Sequence, residues 1–221
     1  LNMIESSGLE RDDDGKVTSY RFFENDLFGL DDSIAEIMEY LRAAAAGSEV
    51  GRRILLLFGP TSSGKSQLAI LLKRGMEEFS KTDVGAIYGL AESPMFEDPL
   101  NAIPYSLRTE FKNKYGIKIE GELSPLMSLK LREDYEGNFL KLPVKRVFAS
   151  ERDRVCLGTF VPSDKKSQDI SELVGSMDLS TIGKYGSESD PRAYRFDGEL
   201  NIANRGIMEF VEMLKVDQKF L

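Results

Sequence analysis

The sequence predicts an α/β fold built on a parallel sheet, and two neighbouring observations carry that prediction. The first is the uninterrupted apolar run Ile54-Leu55-Leu56-Leu57-Phe58, the pattern of a strand buried on both faces. The second is its sequel. A loop framed by Gly59 and Gly64 is followed by Leu68, Leu71, Leu72, Met76 and Phe79 at helical spacing, and residues 84–90 then read as a second strand. Strand, loop, helix and strand in this order form a parallel crossover unit. With 41% hydrophobic and 30% charged residues over 221 positions, the chain can fill one substantial core.

The other elements follow in order. Residues 1–16 read as a flexible or loosely docked leader, because Arg11-Asp12-Asp13-Asp14-Gly15 offers no apolar periodicity. One domain is expected over residues 17–221. It opens on a short strand at 17–23 and a helix from Asp32, where Ile34, Ile37, Met38 and Leu41 share a face, Ser33 and Glu36 have capping-box spacing and Gly47 supplies a stop. Residues 92–205 read as a long α+β insertion. In it, 105–115 and 126–135 are helical, the second with Ser124 as cap and Pro125 at the first position. Residues 144–149 and 155–161 read as a strand pair, 162–168 as polar loop, and Ile170, Leu173 and Val174 as a short helix. Residues 206–214 read as a strand running into a helix.

Composition narrows the chemistry. A formal charge of -8 makes the surface repel phosphate backbones and anionic membranes, so neither nucleic acid nor membrane is an expected partner. The chain has one cysteine and no histidine, which leaves out disulfides, Cys/His zinc sites and histidine acid/base catalysis. No apolar run has the length of a membrane span, and a reducing cytoplasm is the expected compartment. The start at Leu1 and the stop at Leu221 read as a fragment of a longer protein.

The string Gly59-Pro60-Thr61-Ser62-Ser63-Gly64-Lys65-Ser66 fits the phosphate-binding pattern G-x-x-x-x-G-K-[ST]. Its glycines let the backbone wrap a phosphate and present N–H groups at a helix N-terminus, whose dipole favours anions. Lys65 is expected to reach the β- and γ-phosphates and the Ser66 hydroxyl to ligate Mg2+, with Ser62, Ser63, Gly64 and Gln67 contributing backbone amides. ATP with Mg2+ is therefore the expected ligand. Hydrolysis needs a further acid at the end of an apolar strand. Glu212, after Ile207-Met208-Glu209-Phe210-Val211, is the candidate for both the catalytic and the metal role, and Asp197 or Glu199 is the alternative. Arg152, Arg154, Arg192 and Arg205 read as surface ion-pair partners, and Cys156 as a core residue.

Three stretches then carry a family resemblance. Ser150-Glu151-Arg152-Asp153-Arg154-Val155-Cys156-Leu157-Gly158-Thr159-Phe160 is followed by Lys166-Ser167-Gln168-Asp169-Ile170-Ser171-Glu172-Leu173-Val174-Gly175-Ser176 and by Phe196-Asp197-Gly198-Glu199-Leu200-Asn201-Ile202-Ala203-Asn204-Arg205-Gly206. In this order they resemble the AAA+ domain of the PrkA serine protein kinases. The opening Phe28-Gly29-Leu30-Asp31-Asp32 resembles that family too, and the resemblance places Phe28 and Gly29 near the adenine. It implies a three-layer P-loop NTPase core truncated before the helical lid, assembly into an AAA+ oligomer, and ATP-driven conformational change.

Val211 stands where the general AAA+ pattern has an aspartate. Direct serine/threonine phosphotransfer is the alternative function, with its catalytic residues beyond Leu221, since no His-Arg-Asp, Asp-Phe-Gly or G-x-G-x-x-G string is present. A transcriptional ATPase is a third, weaker reading. Gly183-Lys184-Tyr185-Gly186 occupies the place of a polymerase-contacting loop without matching it.

Overall fold

The computed structural model describes residues 1–15, 17–162, 169–185, 187 and 189–213. Residues 163–168, which hold most of the expected polar loop and Lys166, Ser167 and Gln168 of the second resembling stretch, lie outside the described residues, as do Gly186 and Leu214, the end of the expected strand-to-helix stretch. The chain divides into two compact units, residues 1–79 and 80–221, and not at residues 92 and 205.

The first unit contains α1 (Asn2–Ser6), β1 (Leu9–Arg11), β2 (Val17–Tyr20), α2 (Asp31–Ala45) and the greater part of α3 (Lys65–Lys81). β1 and β2 pair antiparallel, with Leu9 opposite Tyr20 and an irregularity between Glu10 and Arg11. The leader expectation is corrected here. Ile4 is only 1% exposed and joins a core with Tyr20, Phe23, Ile34, Met38 and Leu68, while Arg42 of α2 pairs with Glu5 at 3.0 Å. The acidic run that masked this order is the hairpin turn, in which the Asp14 N–H donates to Asp12 Oδ1 and Arg11 donates to the Gly15 carbonyl.

α2 buries Ile34, Ile37 and Met38, the face its periodicity predicts. Its start is corrected: the helix begins at Asp31 after Leu30, and Ser33 lies inside it. Asp31 and Asp32 in the first turn complement the positive end of the helix dipole, so no capping box is needed. The expected strand at 54–58 is also corrected. These residues lie outside the strands, with Ile54 68% and Phe58 86% exposed. A strand is stable only when its N–H and C=O groups pair, and no pairing among the described residues includes this run.

The second unit holds β3 (Ile87–Leu90), α4 (Tyr105–Tyr115), α5 (Pro125–Glu133), β4 (Val144–Val147), β5 (Leu157–Phe160), α6 (Ser171–Val174), β6 (Ser176–Met177), α7 (Leu179–Tyr185), β7 (Tyr194–Arg195), α8 (Glu199–Ile202) and β8 (Ile207–Phe210). β3 pairs antiparallel with β4, Ile87 opposite Val147, so the expected parallel crossover unit does not form from 84–90. Parallel pairing occurs instead between β5 and β8, Leu157 opposite Ile207 through Phe160 opposite Phe210. β6 and β7 form a further antiparallel pair. The strands expected to pair with one another, 144–149 and 155–161, meet in a single bridge, Ser150 to Val155. Burial explains the separation. Leu157, Gly158 and Phe160 are all buried, as parallel strands require, whereas β4 carries Lys145 and Arg146 and buries only Val147, which suits an antiparallel edge.

α5 shows how local sequence is used. The Ser124 hydroxyl accepts the Met127 N–H at 3.2 Å, and Pro125 occupies the first turn. The cap is itself held by the buried Glu97 carboxylate, which accepts from the Ser124 N–H and hydroxyl and from the Ser93 hydroxyl. At the far end Glu92 accepts from the Tyr135 hydroxyl at 2.5 Å and from Lys130 at 3.1 Å. The tyrosine hydrogen bond and the lysine charge lower the Glu92 pKa, and the Tyr135 phenol is pushed up to about 12 by its bond to the carboxylate.

Two predictions follow from α5. Met127, 0% exposed among Leu90, Ala102 and Leu142, is expected to cost about 2–5 kcal/mol as Met127→Ala and under about 1.5 kcal/mol as Met127→Leu in denaturant unfolding. Because the Glu92 pKa is depressed in the folded chain, its bond stabilises above the unfolded glutamate pKa of about 4.3 and is lost as pH falls through the lower folded value. Thermal melts of wild type are therefore expected to lose more stability on acidification through that range than melts of Tyr135→Phe, and parallel profiles would remove Tyr135 from the linkage.

Candidate nucleotide site

The loop at 59–66 takes its curve from two left-handed positions, Ser62 at φ 63° and Gly64 at φ 84°. Alternation of right- and left-handed backbone turns successive N–H groups toward one concavity, which suits an anion. Gly64 is required twice over. Its φ disfavours a side chain, and a Cβ there would lie 3.0 Å from Leu30 Cδ1 and 3.3 Å from Leu27 Cδ2. The first bond of α3, Leu68 N–H to the Gly64 carbonyl at 2.9 Å, starts directly from the loop, so the helix N-terminus faces the same concavity.

Lys65 folds back over the loop. Its Nζ donates to the Gly59 carbonyl at 2.8 Å, to Ser63 Oγ at 2.9 Å and to the Pro60 carbonyl. A Cβ on Gly59 would stand 3.2 Å from Ser63 Oγ and 3.9 Å from the ammonium, so the glycine leaves the room that the lysine uses. Thr61, Ser62 and Ser66 are exposed at the loop's rim. Among the described residues no group of three or more acidic or sulfur ligands is arranged for a metal. A magnesium ion would take the Ser66 hydroxyl and nucleotide phosphates, the mixed ligand set such an ion accepts.

Gln67 does more than its expected backbone role. Its Nε2 donates to Asp26 Oδ1 at 3.2 Å, tying the first turn of α3 to the segment that precedes α2. That segment, Asp26 to Leu30, is what sequence reasoning understated. Beside Phe28 and Gly29, Leu27 and Leu30 back Gly64 of the loop, and Asp26 holds Gln67 of α3. Phe28 is 79% exposed and Gly29 has φ 68°. Both line a cavity of about 170 Å³ shared with Ser19, Glu24 and Leu27, so the segment expected to approach the base is one side chain from the phosphate loop.

The acid candidates lie in the second unit. Glu212 follows β8 in an exposed turn at φ 52°, one residue after the Val211 N–H extends the parallel register to the Phe160 carbonyl at 2.9 Å. The structure thus brings Gly59, Lys65, Ser66, Gln67, Phe28 and Gly29 into one unit and Glu212 into the other. Glu199 accepts the Thr159 N–H at 3.0 Å and pairs with Arg154 at 2.9 Å, and Asp197 pairs with Arg195 at 2.8 Å.

Arg192 and Arg205 make ion pairs, as expected for surface arginines, and Cys156 lies in the core. Arg192 pairs with Asp190 at 2.7 Å, and Arg205 with Asp98 at 3.6 Å. Cys156 is 3% exposed, and burial raises its pKa. The resembling stretches converge in space, because Arg154, Thr159, Ser171, Ser176 and Glu199 line one open cleft. No described helix is long and apolar enough to cross a membrane.

The "ATP-dependent protease PrkA" of Bacillus subtilis (strain 168) is 56% identical over 222 residues, covering 100% of this chain and 35% of that protein. The "Serine/threonine kinase YeaG" of Escherichia coli (strain K12) is 34% identical over 213 residues, covering 93% of this chain and 32% of that protein. The chain therefore spans about a third of the length of these relatives. No solved structure matches. The family model described as "PrkA AAA domain" matches residues 5–221, and the chain belongs to that family.

Proposed function

We propose that the chain is the ATP-binding AAA+ module of a longer PrkA-like protein, binding ATP with Mg2+ at residues 59–66 and turning it over when assembled with neighbouring copies. The observation that carries this reading is the Lys65 ammonium held at the mouth of a left-handed loop on a helix N-terminus. On binding, Lys65 exchanges the Gly59 carbonyl and Ser63 hydroxyl for β- and γ-phosphate oxygens, which carry full charge and make the stronger bond. Ser66 supplies a hydroxyl to the metal, which neutralises charge on the phosphates. Phe28 offers a ring face to the base, and Gly29 leaves its approach open. Glu212 holds and deprotonates the attacking water, and Val211 leaves that carboxylate without the customary acidic neighbour.

The names of the relatives, a protease that depends on ATP and a serine/threonine kinase, both require ATP to be used. A chain without histidine has neither a Ser-His pair nor a His-Arg-Asp loop. Under this reading, bond cleavage in a protein or transfer of phosphate to a serine belongs to the remaining two thirds of the longer protein. Direct phosphotransfer remains the alternative. Incubating γ-labelled ATP with a protein acceptor decides between them: label on the acceptor with this chain alone favours the kinase reading, and label only with the full-length protein favours the module.

Titration with ATP and Mg2+ is expected to show Lys65→Ala binding about 10- to 100-fold more weakly than wild type, the worth of a hydrogen bond to a charged group. Gly64→Ala is expected to weaken binding as well, since the added Cβ opposes φ 84° and meets Leu30. Equal binding by all three proteins removes the loop from the site. Glu212→Gln is expected to leave binding intact and slow phosphate release in the assembled protein by about 10²- to 10⁴-fold, the usual worth of a general base. An unimpaired variant returns the role to Asp197 or Glu199.

A further inference from the structure

The cavity beside the phosphate loop has a polar wall that the loop motif does not account for. β2 of the N-terminal hairpin contributes Thr18, Ser19 and Tyr20, and the turn after it contributes Glu24. Leu27 joins the two parts of the site, because it lines this cavity while its Cδ2 backs onto Gly64. At the rim the Ser19 hydroxyl donates to Glu24 Oε1 at 3.1 Å, so a hydroxyl that can donate stands beside a carboxylate that can only accept. The other carboxylate in the lining, Asp31, sits in the first turn of α2 and serves that helix's positive end.

Resting on the reading that the ligand is ATP, we infer that Glu24 and Ser19 read the edge of the adenine base. The 6-amino group of adenine donates to the Glu24 carboxylate, and N1 accepts from the Ser19 hydroxyl, which turns from its present bond to do so. Phe28, almost fully exposed on the same cavity, covers the ring face. Guanine carries an oxygen where adenine carries the amino group, and in the same seat that oxygen faces the carboxylate. The N-terminal hairpin is then part of the nucleotide site and sets its base preference, apart from the loop that holds the phosphates.

The test measures the affinity of wild type, Glu24→Gln and Ser19→Ala for ATP, GTP and inorganic tripolyphosphate, each with magnesium. Glu24→Gln is nearly isosteric and exposed, and its amide can donate to the guanine oxygen. Wild type is expected to prefer ATP, and Glu24→Gln to shift the ATP-to-GTP ratio toward GTP by about tenfold or more, the loss of one charge-assisted bond. Ser19→Ala is expected to weaken ATP binding several-fold, and tripolyphosphate affinity to stay the same in all three proteins. Nucleotide binding with an unchanged ratio in Glu24→Gln, or a wild type without preference, overturns the base assignment and leaves the phosphate loop standing. Failure of wild type to bind either nucleotide or tripolyphosphate overturns the nucleotide reading and this inference with it.

Discussion

The first unit depends on one contact: Gly64, in a left-handed conformation, backed by Leu27 and Leu30. A side chain at that position would push the loop off the segment before α2, and the loop, the start of α3 and the cavity beside it would separate. The contact is maintained from below by an apolar core in which Ile4, Phe23, Ile34, Met38 and Leu68 come from α1, the hairpin region, α2 and α3. Burial of side chains like these is worth roughly 1.5–3 kcal/mol each, enough to order segments that are too short to be stable alone. Site geometry is thus a product of packing at some distance from the loop.

In the second unit the comparable constraint is close backbone approach. A Cβ on Gly206 would lie 1.6 Å from the Cys156 carbonyl, which accepts the Ile207 N–H at 2.9 Å and opens the parallel pairing of β5 with β8. Polar side chains then join the pieces. Arg154 reaches Glu199, the Asn201 amide donates to the Val174 carbonyl at 2.7 Å, and the Asn204 amide donates to the Met95 carbonyl at 2.9 Å. These residues come from the stretches that resemble the PrkA family, and their contacts give much of that resemblance a packing role. Glu212 follows β8 in an exposed turn.

Family membership and site chemistry are separate kinds of conclusion for this chain. Membership of the PrkA AAA domain family rests on similarity across nearly all of its residues. The relatives carry two different names, an ATP-dependent protease and a serine/threonine kinase, and are about three times as long. The geometry around Lys65 bears on the site chemistry.

The sequence by itself determined what depends on near neighbours. The phosphate loop, the apolar face of α2, the Ser124-Pro125 start of α5 and the span of α4 are set by residues within a few positions of one another, so pattern and capping chemistry suffice to read them. Pairing was decided by tertiary structure. Residues 54–58 have the pattern of a buried strand, yet a ladder needs a neighbour that their own sequence does not specify, and β3 chose β4 across a long separation for the same reason. The leader became helix and hairpin because Ile4 and Leu9 had a core to join, which an acidic local composition conceals. In the candidate site the loop is a contiguous string, so its pattern can be read from the chain. Asp26, Leu27 and Leu30, and the cavity wall of Ser19 and Glu24, were not legible there, because their relation to the loop is one of distance in space and leaves no spacing in the chain.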